Sequence, residues 1–153
     1  MDLQLDWEFV ADTVMGGVST GRVTRAHVAG RDAARLTGLV SLENDGGFVQ
    51  MAADLPPGVD ARDHAGLWLD VYGDGQSYDL RLRTTDLARP WQSFRASFAA
   101  PAAWTQVRIP FAALVPHKTE ATFQPENLRR IGILAIGQAG PADVAVAGIG
   151  LYV

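Results

Sequence analysis

The stretch GLWLDVYGDGQSYDLRLRT, residues 66–84, alternates apolar and polar residues on both sides of Gly73-Asp74-Gly75-Gln76. Period-two alternation marks a half-buried strand, and a Gly/Asp cluster marks a tight turn. The stretch therefore predicts strands over 66–72 and 77–84 joined as a hairpin. Pairing Tyr72 with Ser77 sets Leu67, Leu69, Val71, Tyr78, Leu80 and Leu82 on one face. The other face then carries Trp68, Asp70, Tyr72, Asp79, Arg81 and Arg83.

The same test applies upstream. Over 34–42, Ala34, Leu36, Gly38, Val40 and Leu42 share a face, with Leu39 the exception on the other. Asn44-Asp45-Gly46-Gly47 follows, residue types that tolerate the positive φ of a hairpin turn. Setting Glu43 opposite Phe48 brings Leu42 to Val49 and Val40 to Met51, so a second hairpin is predicted. Over 91–98, Phe94, Ala96 and Phe98 point inward against Trp91, Ser93, Arg95 and Ser97; over 104–111, Val107, Ile109 and Phe111 are inward. Further strands are predicted over 21–28, 131–136 and 143–153, and a helical turn over 125–128. Many short strands punctuated by Gly and Pro read as an all-β sandwich or jelly roll, one domain over 1–153.

Composition narrows the function classes. The chain has 153 residues, enough to bury a core without staples, and no cysteine. Disulfides, thiolate metal sites and a cysteine nucleophile are excluded together. A net charge of −4 argues against a general nucleic-acid binder. No apolar run approaches the ~20 residues of a membrane-spanning helix. The start Met1-Asp2-Leu3-Gln4-Leu5-Asp6 is acidic where a signal peptide would be basic, so a cytoplasmic location is expected.

No motif carries catalysis. Gly17-Val18-Ser19-Thr20-Gly21 matches the pattern of hydrolase nucleophiles, but that pattern needs a strand turning into a helix. Here a strand follows, so a glycine-rich loop is the reading. His27, His64 and His117 lie far apart and match no ligand spacing. Asp12, Asn44, Asp45, Asp74 and Asp79 offer oxygen ligands for calcium, yet turn chemistry accounts for most of them and no EF-hand spacing exists. Asp12, Asn44 and Asp45 are expected to structure loops, Asp12 by accepting hydrogen bonds from backbone amides. No metal or cofactor is expected.

One constellation points to binding. The hairpin register gathers Trp68, Asp70, Tyr72, Arg81 and Arg83 on one outward face, with Trp91 and Arg95 as neighbours across the next strand. Aromatic faces beside directional Arg and Asp groups suit a partner protein or a sugar ring. The competing reading is Arg stacked on aromatic rings simply to cover an exposed sheet.

Asp12-Thr13-Val14-Met15-Gly16-Gly17-Val18-Ser19, together with Ser41 through Phe48, resembles the family of complex I intermediate-associated protein 30. Tyr72-Gly73-Asp74-Gly75 leading to Tyr78 agrees, as do Phe94 to Phe98 and Trp104 through Ile109-Pro110-Phe111. Ile131-Gly132-Ile133 and Gly140-Pro141 complete the match, which runs from about Trp7 to Tyr152. The resemblance implies a galactose-binding-like jelly-roll sandwich and kinship with a mitochondrial assembly factor for NADH:ubiquinone oxidoreductase. It implies a chaperone-like, non-enzymatic role with a protein partner such as respiratory-complex subunits. The fold it implies is shared with carbohydrate-binding modules, which hold glycans on a concave sheet face, so a glycan is the alternative ligand. Against that family the chain is expected to be the bare domain, without the transit peptide and extension of the mitochondrial protein, and its Ala- and Arg-rich composition looks bacterial.

Overall fold

The computed structural model describes residues 1–153. The alternating stretches are strands: β1 (Glu8–Ala11), β2 (Thr20–Val28), β3 (Arg31–Val40), β4 (Phe48–Asp54), β5 (Gly66–Gly73) and β6 (Ser77–Thr84). β7 (Ser93–Ala99), β8 (Thr105–Pro110), β9 (Val115–His117), β10 (Leu128–Ile136) and β11 (Gly140–Tyr152) follow. A 3-10 turn at Pro125–Asn127 precedes β10, as the sequence predicts. No helix is long and apolar enough to cross a membrane.

The strands form two antiparallel sheets packed face to face, a jelly-roll sandwich. Sheet I has five strands in the order β2-β3-β11-β5-β8; sheet II has six, in the order β1-β4-β10-β6-β7-β9. The inward residues are those the alternation picks out. Leu36, Leu67, Leu69, Val71 and Leu151 of sheet I meet Met51, Leu80, Leu82, Ile131 and Ile133 of sheet II, all fully buried. Burial of each such side chain stabilises by about 1.5–3 kcal/mol.

Neither predicted hairpin exists. β3 pairs with β2 and β11, whereas β4 pairs with β1 and β10. β5 pairs with β11 and β8, whereas β6 pairs with β10 and β7. Both connections are arches that carry the chain from one sheet to the other. The reason is geometric: strands facing each other across a core point their apolar residues at one another, and so satisfy the alternation test as well as a hairpin does. Leu42, predicted inward, lies in the first arch and is half exposed. The short strands β1 and β9, absent from the sequence reading, form the two edges of sheet II.

Tyr78 clamps the sheets together at the second arch. Its ring is buried, and its hydroxyl donates to Asp74 Oδ1 at 2.9 Å while accepting from the Asp143 N–H at 2.9 Å. β6 and β11 are thereby joined across the core. Gln76 adds a bond from Nε2 to the Pro141 carbonyl at 2.9 Å.

Candidate functional site

The arches redistribute the predicted constellation. Trp68, Asp70 and Tyr72 lie on the outer face of sheet I, while Arg81, Arg83 and Arg95 lie on the outer face of sheet II, on the opposite side of the molecule. Trp91 precedes β7 in a loop, well exposed, with the Arg89 guanidinium over its ring at 5.9 Å. The single face that the hairpin register required is therefore corrected to two faces. Trp68, Asp70, Tyr72, Arg81, Arg83 and Arg95 do face outward, but not from one sheet, and Trp91 lies outside the strand predicted to hold it.

On sheet I the group is self-contained. Asp70 accepts from Arg31 Nη2 at 3.2 Å and from Gln106 Nε2 at 3.2 Å. Arg31 also stacks on Trp104, 5.0 Å from its centroid, and Trp104 meets Tyr72 edge-on at 5.6 Å. Trp104 Nε1 donates to the Val28 carbonyl at 3.1 Å. The Trp68 ring lies over Gly150, where a Cβ would collide with the indole nitrogen. Arg108 covers Tyr152 at 5.0 Å. Cation–π contacts of this kind cover sheet surface with the chain's own side chains.

On sheet II the charges are less evenly matched. Arg130 bonds Asp54 Oδ1 at 3.0 Å and also Glu8. Arg83 spends its guanidinium on the carbonyls of Gln92 at 3.1 Å and Arg89 at 2.8 Å, and so holds the loop that carries Trp91. Arg81 reaches Asp79 at 3.3 Å, and Arg95 enters no ion pair. His117 of β9 lies beside this group. Burial first, then the positive charges of Arg95, Arg81 and Lys118, push its imidazole below the ordinary 6.5, against a smaller pull from Asp79.

A third region carries an apolar surface that the sequence reading missed. The loops β1–β2, β3–β4 and β10–β11 meet at one end of the sandwich, where Asp12, fully buried, ties the first two together. Its Oδ1 accepts from the Ser19 N–H at 3.0 Å. Its Oδ2 accepts from Gly47 N–H at 2.6 Å, Phe48 N–H at 3.2 Å and the Ser19 hydroxyl at 2.5 Å. Burial alone would raise the Asp12 pKa, but these donors outweigh it and hold the carboxyl below the ordinary 3.8. Gly17 and Gly46 pack so closely against the carboxylate that a Cβ at either would overlap it. Asp12 thus accepts backbone N–H groups from both loops. Asn44 and Asp45 shape the adjacent arch through backbone conformation, both at φ 57°, which their short polar side chains tolerate.

Ser19 belongs to the same knot. Its hydroxyl donates to Asp12 and accepts from the Ser41 N–H at 2.8 Å, so it is an anchor and not a presented nucleophile.

Around the knot, apolar side chains point into water. Val14 is 76% exposed and Met15 61%, with Val18, Leu39, Leu42 and Ile136 also exposed. The backbone bonds bring their loops together: Gly137 N–H donates to the Gly47 carbonyl at 2.9 Å, and Thr20 pairs with Leu39. The sequence reading gives Val14 and Met15 no role. The available signal was their position in a glycine-flanked turn without strand periodicity.

Two clefts lie away from this end of the sandwich. One of about 320 Å³ sits between Arg25, His27 and Asp32 on the β2–β3 hairpin. Another of about 480 Å³ lies beside Phe94, Phe111 and Phe123. No group of three or more His, Asp or Glu side chains is arranged to hold a metal ion.

The sequence profile of the family described as complex I intermediate-associated protein 30 matches residues 2–146. No curated protein matches the sequence. Among solved structures, the chain is similar to a family 11 carbohydrate-binding module of a cellulosomal cellulase of Clostridium thermocellum. That match has a TM-score of 0.78 at 13% identity over 97% of this chain and 88% of the module. The same kind of module in complex with a β-1,3-1,4-mixed-linked tetrasaccharide matches with a TM-score of 0.77 at 12% identity, covering 99% and 95%. A family 30 carbohydrate-binding module of another cellulosomal cellulase of that organism gives 0.64 at 16% identity, covering 98% and 92%. At such identities these structures share the fold.

Proposed function

This chain belongs to the complex I intermediate-associated protein 30 family, and from that premise we propose that it is a non-catalytic binding domain. Its role is chaperone-like, engaging a protein partner during assembly of a respiratory complex. The observation that carries the reading is the group of exposed aliphatic side chains, Val14, Met15, Val18 and Leu42, on the two loops that Asp12 ties together. Exposed apolar groups gathered in one place mark contact surfaces. Here the backbone beneath them is locked by buried hydrogen bonds, so little ordering entropy is lost when a partner docks. Aliphatic side chains suit an apolar protein surface, whereas a sugar ring is held by open aromatic platforms. Trp68, Tyr72 and Trp104 are engaged with the chain's own glycine, Arg and aromatic neighbours.

A glycan ligand is the second reading, favoured by the likeness to a module holding a tetrasaccharide. Trp91, exposed at the rim of sheet II, is the side chain best placed to serve it.

The test is affinity capture from detergent-solubilised native extract, quantifying subunits of NADH:ubiquinone oxidoreductase. Enrichment by the native chain and a loss of about tenfold in a Val14→Asp/Met15→Asp variant of unchanged melting temperature are expected. Anchor side chains of an interface carry losses of that order or more. No enrichment, or equal capture by the variant, overturns the reading. Binding of a mixed-linked glucan tetrasaccharide without subunit capture would instead support the glycan.

A further inference from the structure

The outer face of sheet II places like charges where a sheet ordinarily avoids them. Arg81 and Arg95 are directly opposite each other in the β6–β7 ladder. Like charges at such positions repel. On its other side Arg81 faces Gly132, which offers no side chain. The Arg81 side chain is only 15% exposed, so water does little to relieve the repulsion, and Asp79 at 3.3 Å is its one carboxylate. Arg81 Nε is shielded from water and has no acceptor.

A second donor lies on the same face. Ser93, one pleat along β7 from Arg95, is buried and its hydroxyl has no partner. It stands opposite His117 of β9. Buried polar groups in folded proteins are ordinarily satisfied, and each exception asks for a missing partner. Here the unsatisfied groups and the unpaired Arg95 share one face and can all donate to a negatively charged oxygen. Arg130 is excluded from the group, because Glu8 and Asp54 already neutralise it.

We propose that the outer face of sheet II is a binding site for a compact oxyanion, a phosphate or carboxylate group, seated between Arg81 and Arg95. Guanidinium forks match such groups in geometry as well as charge. The anion would lie against both cations, remove their mutual repulsion and come within reach of Ser93 and His117. Asp79 orients Arg81 from one side. This site is independent of the apolar loop end, so either can fail without the other.

The test is an NMR titration of the full chain with sodium phosphate and, separately, sodium acetate, at ionic strength held constant with sodium chloride. Saturable shifts confined to β6, β7 and β9 are expected with at least one oxyanion; saturation by phosphate or by acetate identifies which group the site takes. Because Arg95 and Arg81 depress the His117 imidazole, a bound anion should raise its titration midpoint. Arg95→Gln, which removes no internal bond, should weaken binding at least tenfold, while Arg129→Gln should leave it unchanged. Shifts that chloride reproduces, an unmoved His117, or undiminished binding in Arg95→Gln would overturn the proposal.

Discussion

Gly47 lies 35 positions beyond Asp12, yet its N–H donates to Asp12 Oδ2 at 2.6 Å. One carboxylate thus fastens the entry of β4 to the turn that leaves β1. Replacing Asp12 by alanine strands the amides of Ser19, Gly47 and Phe48 in a buried site, while the Ser19 hydroxyl keeps the Ser41 carbonyl at 3.2 Å. Each orphaned donor costs about 1–3 kcal/mol before relaxation. We expect Asp12→Ala to lower the unfolding free energy by about 3 kcal/mol or more in urea titrations; a loss under about 1 kcal/mol would show that the loops hold without it.

Acid should act through the same group. The Asp12 carboxyl is held below its ordinary 3.8, so near that pH the unfolded chain binds more protons than the native one. Its contribution is complete above the unfolded value of about 3.9 and is lost as pH falls through the lower native value. The stability gap between the native chain and Asp12→Asn should stay level above about pH 5 and narrow at lower pH. A gap that stays level as pH falls through the carboxylate range would contradict the assignment.

Leu80 is fully buried at the centre of sheet II. Leu80→Ala removes its methyl groups and leaves a cavity, with an expected cost of about 2–5 kcal/mol. Denaturant midpoints shifting without a change in slope would confirm a purely native-state effect.

Tyr78→Phe keeps the ring and deletes the hydroxyl bridge between Asp74 and the Asp143 N–H. A loss of about 1–3 kcal/mol is expected, since the Asp143 amide is left without its acceptor. A double-mutant cycle with Asp74→Asn apportions the bridge; additivity of the two losses would show that the groups do not interact.

Gly150→Ala should displace the Trp68 ring, because the new methyl overlaps the indole nitrogen. The readout is the near-ultraviolet circular dichroism of tryptophan with a stability loss of about 1–3 kcal/mol. An unchanged spectrum would mean that the ring does not rest on the glycine.

What could be read from sequence divides along a physical line. Which side chains face the core was legible, because alternation reports the face of a strand and nothing else. Which strands are neighbours was not: β5 and β6 satisfy the same pattern whether they pair edge to edge or oppose one another across the core. The predicted constellation fell with that ambiguity, since Trp68 and Arg81 shared a face only if β5 and β6 shared a sheet. Asp12 was legible because a carboxylate amid glycines has few other uses. Val14 and Met15 were not, because an aliphatic residue carries no mark of whether its loop is buried.

The strand order also bears on when this chain can acquire its shape during synthesis. β10 and β11 lie inside their sheets, β10 between β4 and β6 and β11 between β3 and β5. A ribosome delivers both after all the strands they join. Until then β3 cannot meet β5, nor β4 meet β6, and the inner faces have no continuous sheet to close upon. The nascent polypeptide therefore carries its aliphatic faces unprotected until residues 128–152 have emerged. Such late, non-local closure slows folding and prolongs exposure to other chains. A translation stall before β10 should leave a protease-sensitive species, while release of the finished chain should convert it within one cooperative step.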